Sequence, residues 1–98
     1  MKRGHVYELR FAGGHAHVLV ISSDALNEHK SATCVLIHPQ QVREATLVDI
    51  PVVSPSAGTV VLGEFRTLSA TRFTEDLGPV EEPVMEAVEM GLRAVLDL

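Results

Sequence analysis

Hydrophobic residues along this 98-residue chain recur with two different periods, and the change from one to the other divides it. Residues 5–11 alternate, with Tyr7, Leu9 and Phe11 on one side and Glu8 and Arg10 on the other. Period two predicts a strand with one buried face. Ala12-Gly13-Gly14 breaks it. Val18-Leu19-Val20-Ile21 follows as an unbroken apolar run, which predicts a strand covered on both faces. Ser22-Ser23-Asp24 offers an N-cap, so residues 25–29 are expected to form about one helical turn. Further strands are predicted over 33–37, ending before Pro39, and over 46–53, where Pro51 marks a bulge or a sheet edge. Another runs over 59–68, bent near Gly63. Ser54-Pro55-Ser56-Ala57-Gly58 between these two reads as a turn. A last short extended piece includes Leu77 and Val80 around Gly78-Pro79.

Beyond residue 80 the period lengthens. Val84, Val88, Leu92 and Val95 make a stripe at helical spacing, widened by Met85 and Leu96. Pro83 fits a first turn, where its missing N–H costs nothing, and Glu81, Glu82 and Glu86 complement the positive end of the helix dipole. Gly91 costs about 1 kcal/mol relative to Ala inside a helix, so close approach of a neighbouring strand is expected there. Several short strands followed by one amphipathic helix predict a mainly β (α+β) single domain over residues 1–98. Its form is a small, strongly bent sheet or barrel with a C-terminal α-helix.

Composition narrows the function. A hydrophobic content of 46% excludes a disordered chain. Cys34 has no partner cysteine, which excludes a disulfide framework and suits a reducing cytoplasm. In an apolar strand, its thiol is expected to be buried and inert. No apolar run approaches the roughly 20 residues of a membrane helix. The net charge of −5 argues at first against a nucleic-acid partner. Its distribution removes that argument: residues 75–98 carry seven acids and one base, leaving residues 1–74 at +1.

Five stretches resemble the MazF/PemK family of toxin endoribonucleases, in family order. Arg3-Gly4-His5-Val6-Tyr7 resembles the opening RG-[DE]-[IV]-[WY] strand. Gly14-His15-Ala16-His17-Val18-Leu19-Val20-Ile21-Ser22 resembles G-x-R-P-V-L-V-[VI]-S, and Asp24-Ala25-Leu26-Asn27 the following D-x-[FY]-N. Thr59-Val60-Val61-Leu62-Gly63-Glu64-Phe65-Arg66-Thr67 resembles S-V-[VI]-L-x-[DEQ]-x-[IV]-R-T, and residues 90–98 the closing helix. The resemblance implies an SH3-like small β-barrel of the CcdB/PemK kind, a homodimer, and cofactor-free, metal-independent cleavage of single-stranded RNA. It also implies a cognate antitoxin whose extended acidic tail lies in the RNA groove.

The departures from the family pattern shape the expected chemistry. The family's catalytic Arg falls on Ala16, its Pro on His17 and its catalytic Thr on His38. Its acidic residue falls on Gly63, with Glu64 beside it. Metal-free cleavage needs a base for the 2′-hydroxyl, an acid for the departing 5′-oxygen and a cation or donor array for the phosphoryl oxygens. Histidine suits both proton roles, with an unperturbed pKa of about 6.5. His15 or His17 is therefore expected to pair with His38 as base and acid, with Arg66 or Arg10 steadying the phosphate. Arg10, Lys30, Arg43 and Phe65 are the expected RNA contacts, dominated by the backbone because aromatic platforms are few. His15 and His17 also lie two apart, on one face of a strand, so a three-histidine metal site with His38 is a competing reading. Two non-enzymatic readings stand beside these. One is a catalytically silent member acting as a binding module for an antitoxin or another peptide. The other is topoisomerase inhibition in the manner of CcdB, disfavoured because the chain has no Trp.

Overall fold

The computed structural model describes residues 1–42 and 44–98. Six strands, β1 (His5–Phe11), β2 (Gly14–Val20), β3 (Ser31–His38), β4 (Asp49–Val52), β5 (Gly58–Ser69) and β6 (Phe73–Pro79), form one sheet in the order β4-β5-β3-β2-β1-β6. All neighbours are antiparallel. A one-turn helix, α1 (Asp24–Asn27), links β2 to β3, and α2 (Glu82–Leu96) closes the chain. The sheet's two edges, β4 and β6, do not pair with each other, so the barrel is open.

Each expected element is present, and the differences have local causes. Ser23 caps α1 through its hydroxyl, which accepts from the Leu26 N–H at 3.2 Å. β4 is shorter than the expected 46–53 because Thr46 folds the chain back before it. The Thr46 hydroxyl accepts from the N–H groups of Val48 and Asp49, and the Thr46 N–H donates to the Asp49 carbonyl. Pro51 lies on an edge strand, where a missing donor is tolerated. In β5 the pairing to β3 slips between Val60, opposite Ile37, and Phe65, opposite Val35. Gly63 lies within that slip, at the predicted bend. The extended piece near Gly78 is longer than its sequence suggests: β6 pairs with β1 from His5 to Leu9, with two register shifts.

Alternation explains why β2 reads as continuously apolar. Leu19, Val35, Ile37, Val60 and Leu62 face one side of the sheet and pack with Val88 of α2. Val18, Val20, Cys34, Tyr7 and Leu9 face the other and form a second cluster. Helix α2 lies tightly on the first. A Cβ at Gly91 would sit 2.1 Å from the Leu47 carbonyl oxygen and 2.3 Å from Leu62 Cδ1. The close neighbours are thus the segment entering β4 and the side chain of a β5 residue. Among the described residues no helix is long and apolar enough to cross a membrane.

Candidate functional site

Three structural pieces meet at one end of the sheet: the start of β2, the end of β3 and the loop between β4 and β5. They line a cleft of about 640 Å³ that includes His15, His17, His38, Pro55 and Ser56. This volume lies within the range of about 300–1,000 Å³ common for small-ligand sites. The β4–β5 loop reaches the cleft because Gly58 has no side chain: a Cβ there would stand 1.9 Å from the His38 carbonyl oxygen. Gly58 therefore lets the loop pass directly over the end of β3.

The histidines arrive from different directions. In the β1–β2 ladder, Glu8 faces His17 and Arg10 faces His15, so these four side chains share one face of the sheet. The two imidazole rings lie 6.3 Å apart. His17 Nδ1 is 2.6 Å from the Ser56 hydroxyl, and its Nε2 is 3.8 Å from Glu8 Oε2. Arg10 Nε donates to the other Glu8 oxygen at 3.1 Å. That hydrogen bond, with the neighbouring charges of His15, Arg10 and His17, outweighs partial desolvation and holds the Glu8 carboxyl below its ordinary pKa.

His38 belongs by alternation to the opposite face. Ile37 lies across from His17, so the next residue points away from it. Two residues beyond the Val18–Leu36 pair, Ala16 and His38 come together on that face. His38 Nε2 is 3.4 Å from Glu64 Oε2, and both side chains are half-exposed. A second cavity of about 480 Å³ adjoins the first, sharing Ala16 and Leu36 with it, and is bordered by Phe11, Glu64, Arg66 and Arg72. Arg66 therefore lines the space beside Glu64 and not the histidine cleft itself. Among the described residues, Arg66 and Arg72 have no carboxylate within 4.0 Å.

The other expected RNA contacts are dispersed. Arg10 stands beside the cleft but is committed to Glu8. Phe65 packs against the larger core. Lys30 precedes β3 at its far end, ~26 Å from His38 at about 3.3 Å per strand residue. Arg43 lies outside the described residues. The three histidines do not form a ligand set: among the described residues no three His, Cys, Asp or Glu side chains converge to hold a metal ion. Opposite strand faces are the reason. Cys34 is fully buried, and burial pushes its thiol up to about 11, outweighing the nearby Arg66 charge.

Ser56 is the site residue that sequence reasoning missed. It lies 39 positions from His17 in a segment whose Pro, Ser and Gly content reads only as a turn. No local pattern distinguishes a buried serine there from a solvated one. Glu8 was hidden similarly, as the polar member of an alternating strand.

The sequence model of the PemK-like, MazF-like toxins of type II toxin–antitoxin systems matches residues 2–96. The chain belongs to this family. Among solved structures, a mycobacterial endoribonuclease in complex with its cognate antitoxin superposes with a TM-score of 0.87. It shares 24% identity, over 100% of this chain and 96% of that one. MazF in a MazE–MazF crystal structure from Deinococcus radiodurans superposes at 0.82, with 22% identity over 100% and 96%. No curated protein sequence gives a significant match. In this fold Ala16 and His38 lie on neighbouring strands at one sheet face. In this member that face carries an imidazole, a carboxylate and two guanidinium groups.

Proposed function

We propose that this protein is the toxin of a type II toxin–antitoxin pair, and that it cuts single-stranded RNA without a metal ion. The observation that carries the reading is the cleft at the β2–β3 end, where His15 and His17 enter from one sheet face and His38, at the expected position of the family's Thr, from the other. Cleavage proceeds by attack of the ribose 2′-oxygen on the adjacent phosphorus, giving a cyclic phosphate and a 5′-hydroxyl. The His15/His17 side supplies the base. His38, with the Glu64 carboxylate to hold its proton-bearing ring, supplies the acid for the 5′-oxygen. Arg66, which borders the same cavity as Glu64 and has no carboxylate within 4.0 Å among the described residues, is the candidate to meet the phosphate charge; Arg10, tied to Glu8, is the weaker candidate.

The working form is a cytoplasmic homodimer whose groove takes either RNA or the extended acidic tail of a cognate antitoxin. Arg66 and Arg72 suit both polyanions. The test is incubation of the purified protein with a long single-stranded RNA in EDTA, followed by mapping of new 5′ ends. Discrete cuts leaving 5′-hydroxyls support the reading. Intact RNA at high protein excess would instead make the chain a silent member that only binds, and cuts abolished by EDTA would restore a metal-dependent mechanism.

A further inference from the structure

We propose that Ser56, and not a histidine, receives the 2′-hydroxyl proton, passing its own proton to His17 with Glu8 behind it. The Ser56 hydroxyl lines the cleft, is almost wholly buried, and has His17 Nδ1 as its partner at 2.6 Å. On the far side of the ring, Nε2 looks towards Glu8 Oε2 at 3.8 Å, and Arg10 secures that carboxylate. A carboxylate on the Nε2 side favours the tautomer protonated at Nε2. Nδ1 is then the acceptor, and the Ser56 O–H donates to it. With Nε2 directed at Glu8 and Nδ1 occupied by Ser56, a proton leaving the cleft for His17 enters through Oγ. This is the arrangement of an activated hydroxyl: a base within hydrogen-bond reach, oriented by a third group.

The step balances as follows. While the 2′-oxygen bonds to phosphorus, its proton moves to Ser56 Oγ and the original Ser56 proton moves to His17 Nδ1. The bond from phosphorus to the 5′-oxygen breaks, and that oxygen takes a proton from His38. Ser56 is unchanged at the end; the imidazolium formed at His17 faces Glu8. Besides Glu8, the charged or titratable groups around the His17 ring are Arg10 and His15 on the same face and His38 across the cleft.

The proposal rests on the endoribonuclease reading, and two measurements on the full chain test it. Ring ¹⁵N NMR at about pH 8, where histidine is neutral, is expected to show His17 protonated at Nε2 with Nδ1 bare. A proton on Nδ1, with Ser56 as acceptor, would overturn the relay. In EDTA, Ser56→Ala is expected to lower kcat on a short RNA by roughly 10²-fold with KM within about two-fold, and Ser56→Thr to restore most of the rate. Parent-like cleavage by Ser56→Ala overturns the relay while leaving the nuclease intact. Intact RNA with the parent protein overturns the nuclease reading and the relay with it.

Discussion

Gly58 lies so close to His38 that a Cβ on the glycine would stand 1.9 Å from the histidine's carbonyl oxygen. Backbone meets backbone there, so no side chain can move aside to make room. The contact joins the loop bearing Ser56 to the strand end bearing His38, and thereby closes the cleft. Gly58→Ala is expected to cost at least the roughly 1–3 kcal/mol typical of overpacking. It should also pull Ser56 away from His17. A lower urea midpoint, together with a changed His17 ring ¹⁵N spectrum, checks both effects; an unchanged midpoint contradicts the contact.

His38 is the imidazole on the same face as Glu64 and Arg66, so its loss cannot be made good by His15 or His17 from the other face. His38→Ala is expected to slow RNA cleavage by about 10²–10⁴-fold, the range of a single proton-transfer role. Glu64→Gln keeps the shape and removes only the charge beside His38, so a smaller loss is expected. His15→Ala reports on the opposite face. Parent-like rates for both variants would remove His15 and His38 from the proton-transfer roles.

Much of the scaffold was legible because each face of the sheet is apolar for a separate reason. The unbroken run Val18-Leu19-Val20-Ile21 announced burial on both sides, and the two clusters supply it. The stripe through Val88 announced α2, and Gly91 announced its tight seat. The site was legible in composition but not in arrangement. Which face His38 takes depends on a register set by Ile37 opposite His17, and a shift of one residue would reverse it. Ser56 joins His17 only through the course of a loop, and that course depends on Gly58. Neither relation is local in sequence, so neither left a pattern there.

Arg66 and Arg72 border the second cavity without carboxylate partners among the described residues. Each is therefore available to a phosphate. For single-stranded RNA, log affinity falls with log salt at a slope of about −0.7 per phosphate contact. Arg66→Gln and Arg72→Gln are each expected to flatten that slope by roughly 0.7 and to weaken binding most at low salt. Lys30→Gln, at the far end of β3, is expected to leave the slope for a short RNA unchanged. Fluorescence anisotropy over a salt series measures all three. Equal effects from Lys30 and Arg66 would mean that a short RNA does not concentrate on this face.

Cys34 couples the second core to alkaline pH. Its thiol is fully buried beside Val18 and Val20, and burial raises it from an ordinary value near 9.0 to about 11. Below the unfolded value the thiol is protonated in both states, and its full contribution to stability is present. As pH rises past about 9, the unfolded chain releases the proton while the folded chain keeps it, so unfolding becomes more favourable until the folded group also titrates near 11. A shift of this size corresponds to about 2–3 kcal/mol lost across the window. Other groups titrate there too, so the informative quantity is the difference between the parent and Cys34→Ala. The variant, with a methyl in place of the thiol, starts less stable at neutral pH but should lack this part of the alkaline decline. Urea midpoints at intervals between about pH 8 and 11 should therefore converge, and parallel curves would show that Cys34 titrates normally in the folded protein.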